Sequence, residues 1–241
     1  DQGYLPKFPK QQDFQGAIVH PQQWSSDIEY QGKNIIVIGS GATAVTLVPA
    51  LVKGGAKQVT MLQRSPGYVV SVSAYDKTYQ YLRQHLPVRW AYRWVRGRNI
   101  VLQRAVYSLA RKAPQLTKRL LLKAVEQELR GKVDMQHFTP QYAPWDQRLC
   151  AVPDGDLFRV LRNGQAQICT DQIDYFTASG IRLKSGQHLD ADLIVAATGL
   201  QIQLLGGLRL TVDDKPVDLA EKMLYQGTLL SDVPNFALMI G

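Results

Sequence analysis

The hydrophobic positions near the start of the chain predict a strand, a helix and a second strand in succession. Residues 33–38 form a short apolar run, which is typical of a strand buried on both faces of a parallel sheet. Apolar residues recur at helical spacing over 44–53, and Gly54-Gly55 predicts the end of this helix. A second strand is predicted over 58–63, followed by a turn over 64–67. This order predicts an α/β fold with a Rossmann-like, doubly wound parallel sheet.

A change to helical periodicity marks residues 75–130 as a mostly helical insertion, with predicted interruptions at Pro87, Gly97 and Pro114. The pattern beyond the insertion predicts, in chain order, a short strand over 132–137, a helix over 154–163, a strand over 166–169, a hairpin over 175–186, a strand over 192–197 and a buried strand over 236–241.

Positive charge is concentrated in the helical insertion. Residues 75–130 carry 13 basic and 3 acidic side chains, whereas the rest of the chain carries 15 basic and 17 acidic ones. Trp90, Tyr92 and Trp94 lie among the arginines of this insertion. Such a combination of aromatic and basic residues could bind nucleic acid or an anionic membrane surface. We favour a solvated insertion whose aromatic side chains pack on the sheet. Nucleic-acid binding is therefore not favoured, and peripheral membrane contact is left open.

A glycine turn stands where the first predicted strand enters the first predicted helix. Gly39 permits a tight turn, Gly41 allows the backbone to approach a pyrophosphate, and Ala44 is small enough for the helix to pack on the strand. The backbone amides that open the helix then face the phosphates. The candidate dinucleotide-binding residues of this turn are Gly39, Ser40, Gly41, Ala42, Thr43 and Ala44.

The residue that follows the second strand indicates which dinucleotide is bound. NAD and FAD sites usually carry an acidic residue there, whereas this chain has Arg64 followed by Ser65. A guanidinium offers a forked set of donors to a phosphate, and the serine hydroxyl adds another hydrogen bond. The sequence therefore predicts NADP(H) as the cofactor of this site.

Other features of the chain narrow its class. The apolar runs are strand-sized and fall short of the roughly 20 residues that a membrane-spanning helix needs, and no signal peptide is recognisable. Cys150 and Cys169 form neither a disulfide framework nor a metal-binding motif, so we expect a cytoplasmic protein without a bound metal.

The motif Phe14-x-Gly16-x-x-x-His20-x-x-x-Trp24 has no evident packing pattern. It resembles the fingerprint of the class B flavoprotein monooxygenases, and its final tryptophan is the form typical of Baeyer–Villiger monooxygenases. The glycine turn, the insertion and the turn Ala197-Thr198-Gly199 follow in the order found in this family, and the resemblance adds the residues of this last turn to the candidate cofactor-binding residues. The resemblance implies that the motif connects FAD and NADP domains, and that His20 couples nucleotide binding to domain movement.

The segment that ends in Gln147-Arg148 resembles a family segment ending in Lys-Arg. There the lysine contacts the NADP 2′-phosphate, and the arginine reaches the flavin and stabilises the peroxyflavin anion. The resemblance thus implies a catalytic role for Arg148. Gln147 departs from the pattern, because its amide can hydrogen-bond a phosphate but carries no charge. Preference for NADPH is therefore expected to depend mainly on Arg64.

The resemblance implies the NADPH-binding part of a larger FAD-dependent monooxygenase. In the larger protein NADPH reduces FAD, and O2 is used to oxygenate a small organic substrate, a ketone, an amine or a sulfide. Baeyer–Villiger chemistry is favoured, and the alternatives are N- or S-oxygenation or another pyridine nucleotide–flavin reductase. The implied layout is a linker at 1–33, an NADP domain at 34–74 and 131–199, the basic insertion at 75–130, and at 200–241 the start of a return to an FAD domain, incomplete here.

Overall fold

The computed structural model of the chain describes residues 2–201 and 204–239. In chain order the strands are β1 (Gln2–Gly3), β2 (Ala17–Val19), β3 (Asn34–Ile38), β4 (Gln58–Gln63), β5 (Tyr68–Val72), β6 (Leu149–Pro153), β7 (Ala166–Thr170), β8 (Ile173–Thr177), β9 (Gly180–Leu183), β10 (His188–Asp190), β11 (Leu193–Ala196), β12 (Leu200–Gln201), β13 (Thr211–Val212), β14 (Lys215–Pro216), β15 (Leu224–Tyr225) and β16 (Leu229–Leu230). The α-helices are α1 (Ala42–Lys53), α2 (Lys77–His85), α3 (Val88–Lys112), α4 (Pro114–Leu129) and α5 (Asp156–Arg162). Residues 3–200 form one compact unit, and a smaller unit contains residue 2 and the described residues from 201 onward.

Five parallel strands form the central sheet of the larger unit, in the order β2-β11-β3-β4-β7. Strand β3 lies in the middle, with Ile38 opposite Leu62 of β4 and Ala196 of β11. The chain leaves β3 through α1 towards β4 and returns much later to the other side of β3 as β11. The predicted α/β fold with a parallel sheet is confirmed.

Different layers cover the two faces of this sheet. Ile35 and Val37 of β3 belong to a core cluster that includes residues of α1, α4 and α5. Ile36 and Ile38, which point to the opposite face, pack with residues of the antiparallel sheet β10-β9-β8, among them Phe176. A doubly wound sheet would carry helices on both faces, so the second layer departs from that detail of the prediction. The continuous apolar run of β3 is compatible with either layer, because both the helices and the antiparallel sheet bury apolar side chains against it.

The monooxygenase-like motif has a clear packing role. Strand β2 pairs in parallel with β11 at the edge of the sheet, so part of the segment predicted as a linker is a sheet strand. Phe14 is buried beside Phe176 on one face, and Trp24 packs against Tyr30 and the core of the other face. A methyl group on Gly16 would come within 2.6 Å of the backbone oxygen of Asp192. The expectation that this motif has no packing pattern was wrong. Phe14 and Trp24 pack on opposite faces of the sheet, and Gly16 lies close to the backbone of Asp192.

The basic insertion is helical, as predicted, and consists of α2, α3 and α4. Helices α3 and α4 begin next to Pro87 and at Pro114, where interruptions were predicted. The predicted interruption at Gly97 is wrong, because α3 continues through this residue. One glycine costs a helix only about 1 kcal/mol relative to alanine, which the flanking turns can outweigh.

The aromatic side chains of α3 do not pack on the sheet as we expected. Trp90, Tyr92 and Trp94 are 55%, 53% and 68% exposed, whereas Ala91 and Val95 are buried. Helical periodicity identified these residues as part of a helix but did not show which face is covered. Among the described residues, the helices include none with the length and apolarity that a membrane span requires.

Several local predictions are confirmed and others are corrected. The strand–helix–strand unit β3-α1-β4, helix α5 and the hairpin of β8 and β9 are present. The strand predicted over 132–137 is wrong, because Met135–Phe138 forms a 3-10 helix. The side chain of Asp134 accepts a hydrogen bond from the Gln136 amide and so favours this turn over an extended strand. The parallel pair β5 and β6 was not predicted.

The smaller unit contains two antiparallel hairpins, β13 with β14 and β15 with β16. Over residues 236–239 the backbone forms a single bridge, between Ala237 and Leu229, and Met239 is 89% exposed. The buried strand predicted over 236–241 is therefore wrong for residues 236–239, and its last two positions lie outside the described residues. An apolar run alone does not supply the paired neighbour that a strand requires.

Candidate functional site

A cavity of about 710 Å³ lies at the carboxyl ends of β3, β4 and β11. This edge of an open parallel sheet, where the strand order reverses on either side of β3, is where ligands of α/β proteins bind. The cavity is lined by Tyr4, Pro6, Phe8, Ile38, Gly39, Ser40, Gly41, Leu62, Arg64, Ser65, Asp171, Gln172, Ile173, Ala197, Thr198 and Gly199. Eight of the site residues predicted from sequence therefore line the same cavity, although they come from three separate segments of the chain.

The two glycines of the turn serve different purposes. Gly39 has φ of +136°, and a Cβ atom there would lie 2.3 Å from the backbone oxygen of Ala197. Its amide donates to the backbone oxygen of Leu62 at 2.8 Å, which joins the turn to β4. A Cβ atom on Gly41 would meet nothing within 4 Å. Gly39 is therefore required by the approach of the neighbouring turn, whereas Gly41 keeps space open in the cavity.

Helix α1 begins at this open position. Gly41 is its N-cap residue, and the first hydrogen bond of the helix runs from the Val45 amide to the Gly41 oxygen at 3.1 Å. The amides of Ala42, Thr43 and Ala44 therefore have no partner within the helix. Ala44 is fully buried, as the small third position of the turn predicted. The first helical turn contains no acidic residue, so the positive helix end can attract an anion.

Arg64 and Ser65 lie at the end of β4 and are exposed to the same cavity. Arg64 takes part in none of the five ion pairs formed among the described residues. Its guanidinium is thus not neutralised by a protein carboxylate in that part of the chain. A cation and a hydroxyl at the end of the second strand form the donor set that a 2′-phosphate requires.

The Ala197-Thr198-Gly199 turn closes the opposite side of the cavity. The Thr198 hydroxyl donates to the backbone oxygen of Tyr4 at 2.5 Å, and the Tyr4 amide donates to the Gly199 oxygen at 3.0 Å. The Nε2 atom of His20 also lies 3.0 Å from the Gly199 oxygen. His20 therefore contacts Gly199, a residue that lines the cavity, but does not line the cavity itself.

Gln147 and Arg148 do not line this cavity. Both are exposed in the loop before β6, three and two residues before Cys150. The Cys150 thiol is buried and donates to the Ser40 oxygen at 3.7 Å, which attaches β6 to the glycine turn. Burial raises the pKa of Cys150, and the nearby positive charge of Arg148 opposes this shift. Arg148 therefore lies near Cys150, outside the cavity that Arg64 lines.

Sequence reasoning missed part of the site. Asp171, Gln172 and Ile173 follow β7, and Tyr4 and Phe8 come from the lead-in to the motif. Asp171 accepts hydrogen bonds from the Ser185 hydroxyl and from the amides of Ser185 and Gln172, and these bonds hold its pKa below the usual value despite partial burial. The signal that could have found Asp171 is its position directly after a strand next to β4. That position becomes informative only when the strand order is known.

Comparison with known proteins identifies a family. The model of the flavin-binding monooxygenase-like family matches residues 2–205. The probable FAD-binding monooxygenase AlmA of Acinetobacter sp is 58% identical over 241 residues, which cover 100% of this chain and 48% of that protein. The putative FAD-containing monooxygenase MymA of Mycobacterium tuberculosis (strain CDC 1551 / Oshkosh) is 54% identical over 244 residues, which cover 100% of this chain and 49% of that protein. The chain spans about half the length of these curated relatives.

A solved structure shares the fold. An oxidised steroid monooxygenase bound to NADP superposes with a TM-score of 0.57 at 21% identity, covering 83% of this chain and 44% of the other. This likeness supports the parallel α/β architecture described above.

Proposed function

Because the chain belongs to the flavin-binding monooxygenase-like family, we propose that it is the NADPH-binding part of an NADPH- and FAD-dependent monooxygenase. The observation that carries the proposal is the cavity shared by the glycine turn, which includes the N-cap residue of α1, and Arg64. The names of the relatives, FAD-binding and FAD-containing monooxygenases, support FAD as the second cofactor of the whole protein.

The site fits a dinucleotide in three respects. Ala42, Thr43 and Ala44 do not themselves line the cavity, but their amides open α1 directly after Gly41, which does, and they would hold a pyrophosphate admitted by the space next to Gly41. Arg64 and Ser65 would hold the 2′-phosphate. Gly39 and the Ala197-Thr198-Gly199 turn would form the floor between them. Bound NADPH supplies a hydride to the flavin of the whole protein, and the chain's own contribution is to bind and orient the nucleotide.

The test of this function compares NADPH and NADH binding by the 241-residue chain. We expect tighter binding of NADPH, and Arg64→Ala should lower NADPH affinity by roughly tenfold or more while changing NADH little. Arg104→Ala is a matched control, because Arg104 is an exposed arginine of α3 outside the cavity. Equal affinities that Arg64→Ala does not alter would contradict the NADPH assignment.

Arg148 is proposed to act at the flavin of the whole protein. A fixed cation near a reacting flavin can stabilise negative charge that develops during oxygen chemistry. In the whole protein, Arg148→Ala should lower the rate of product formation and leave the affinity for NADPH nearly unchanged, because Arg148 lies outside the cavity. Loss of NADPH affinity with unchanged product formation would contradict this role.

The reaction proposed for the whole protein uses O2 to insert oxygen beside a ketone. The support for this Baeyer–Villiger type is Trp24, the residue that ends the fingerprint motif. Assays with cyclic ketones, amines and sulfides decide between the types. Lactone or ester formation is expected, and oxygenation of sulfides or amines alone would favour the N- or S-oxygenating alternative.

A second proposal concerns the exposed aromatic residues of α3. Helix α3 has seven basic side chains and no acidic one, and Trp90 and Trp94 are more than half exposed. Arg93 lies over the Trp90 ring, 5.6 Å from its centroid. Tryptophan beside arginine is typical of helices that lie on an anionic membrane surface.

Sedimentation with vesicles of phosphatidylglycerol and phosphatidylcholine tests this surface. We expect the chain to bind these vesicles, and added salt should weaken the binding. The double variant Trp90→Ala/Trp94→Ala should also weaken it, whereas Tyr225→Ala, which changes an exposed aromatic residue of the smaller unit, should not. No binding at low salt would contradict membrane contact, and binding to DNA instead would favour the nucleic-acid alternative.

A further inference from the structure

A cluster of polar side chains lies directly behind the cavity wall, at the ends of β4 and β7. Gln63, the last residue of β4, is 2% exposed, although glutamine usually lies at protein surfaces. Its Nε2 atom donates to the backbone oxygen of His137 and to Oγ1 of Thr170, each at 2.8 Å. The Nδ1 atom of His137 lies 2.7 Å from the same Thr170 oxygen. Two neighbouring strands and a 3-10 helix are therefore joined at one hydroxyl group.

The protons of this cluster can be assigned without conflict. A threonine hydroxyl has one proton and two acceptor sites. With one acceptor site taken by Gln63, the Thr170 oxygen can donate its own proton to Nδ1 of His137 or accept the Nδ1 proton at its second site, so a neutral ring satisfies this contact in either tautomer. Burial lowers the pKa of His137, with the nearby Asp134 opposing the shift, and so favours the neutral ring. Each polar group of the cluster thus has a partner that depends on the Thr170 hydroxyl.

The cluster immediately precedes two residues of the cavity wall. Gln63 and Thr170 are directly paired in the sheet, and the residues that follow them, Arg64 and Asp171, both line the cavity. The Asp171 amide donates to the Gln63 oxygen at 2.9 Å, which extends the pairing by one step. Arg64 has no carboxylate partner among the described residues to direct it. The direction in which Arg64 leaves β4 is therefore determined by the backbone that Gln63 fixes.

We propose that Gln63, Thr170 and His137 are positioning residues that give the nucleotide site its selectivity for a 2′-phosphate. This inference rests on the proposed NADPH-binding function. Without the Thr170 hydroxyl, the buried Gln63 amide and His137 Nδ1 lose a partner, and the end of β4 shifts to find others. The forked guanidinium–phosphate contact depends on geometry, so this shift weakens the bond to the 2′-phosphate. Contacts shared with NADH, at the glycine turn, are left in place.

The experiment measures the affinities of the 241-residue chain for NADPH and NADH, and compares their ratio among variants. Thr170→Val should lower NADPH affinity by roughly tenfold and NADH affinity by less than about twofold. Thr170→Ser keeps the hydroxyl and should restore the ratio of the unmodified chain. With Arg64→Ala already present, Thr170→Val should not change the ratio further, because the side chain that it positions is gone.

Thr117→Val is a matched control. Thr117 is 4% exposed, and its hydroxyl donates to the Ala113 oxygen within α4, so the same change should leave the ratio unaltered. If Thr170→Val does not fold, His137→Leu removes one of the two hydrogen bonds at the Thr170 hydroxyl and should shift the ratio in the same direction by a smaller factor. An unaltered ratio in a folded variant, or equal losses for both nucleotides, would overturn the inference. An unmodified chain that does not distinguish NADPH from NADH would overturn the NADPH site itself.

Discussion

The Nε2 atom of His20 lies 3.0 Å from the backbone oxygen of Gly199, although 179 positions separate the two residues. The Nδ1 atom of His20 accepts a hydrogen bond from the Gln22 amide at 3.2 Å, so Nε2 carries the proton and donates to Gly199. The conspicuous histidine of the fingerprint motif therefore supports the turn that forms one side of the cavity. This contact gives a physical route by which the motif and the proposed nucleotide site influence each other.

We expect His20→Ala to weaken NADPH binding through this turn. The variant leaves the Gly199 oxygen without its side-chain donor and opens space beside Gly3, where the ring packs. Affinity for NADPH should fall by about threefold to tenfold, and the free energy of unfolding by about 1–3 kcal/mol. Nucleotide titration and urea denaturation check the two effects. His20→Gln, which can still donate to Gly199, should recover part of the affinity, and equal losses in both variants would contradict the role of the donor.

Gly39→Ala should destabilise the fold. The added methyl group would meet the Ala197 oxygen, and alanine rarely adopts φ of +136°. The expected loss in the free energy of unfolding is about 2–4 kcal/mol. Chemical denaturation measures this loss, and a change within about 0.5 kcal/mol would show that the two turns can separate freely.

Gly41→Ala should affect the ligand and spare the fold. A methyl group there meets no protein atom within 4 Å but projects into the cavity where the pyrophosphate is proposed to bind. We expect stability to remain within about 0.5 kcal/mol while NADPH and NADH affinities fall together. Comparing denaturation curves with titrations of both nucleotides makes the test, and an undiminished affinity would place the pyrophosphate elsewhere.

Stability should decrease as the pH falls below the ordinary histidine pKa of 6.5, and His137 should contribute to the decrease. Burial lowers the pKa of His137 in the folded protein, so the unfolded chain binds the proton first as the pH falls. The loss of stability due to His137 is absent above pH 6.5. It grows as the pH falls and levels off once the pH is below the pKa of His137 in the folded protein. Urea denaturation from pH 8 to pH 5 should show a shallower decrease for His137→Gln than for His85→Gln, an exposed histidine control. Identical slopes would contradict the assignment.

Asp171→Asn should change stability and binding in opposite directions. The carboxylate accepts hydrogen bonds from the Ser185 hydroxyl and from the amides of Ser185 and Gln172. These bonds favour the charged form and lower the pKa of Asp171, so the stability that they supply is lost as acid protonates the carboxylate. At neutral pH the variant should be less stable than the unmodified chain, with a smaller difference at acid pH. Removing a negative charge that lines the cavity with Arg64 should raise NADPH affinity a few fold. Reduced NADPH affinity would indicate that Asp171 binds the nucleotide directly.

Much of the candidate site could be predicted because its signals are local. The strand, the glycine turn and the helix that follow one another from Asn34 to Lys53 show their periodicity within one short segment. Arg64 was found by its position at the end of the next strand. A local pattern specifies which backbone conformation a segment favours, and a turn between adjacent elements needs no distant partner.

Only the tertiary structure decided what meets this segment. The sequence did not show that Ala197 requires a glycine at position 39, that the motif of Phe14 and Trp24 forms the sheet edge, or that Asp171 shares the cavity with Arg64. It also failed to show that Trp90 and Trp94 are exposed. These properties depend on strand order and on which faces are covered. Periodicity within a segment specifies an apolar face, but the residues that cover it are chosen by the packing of distant parts of the chain.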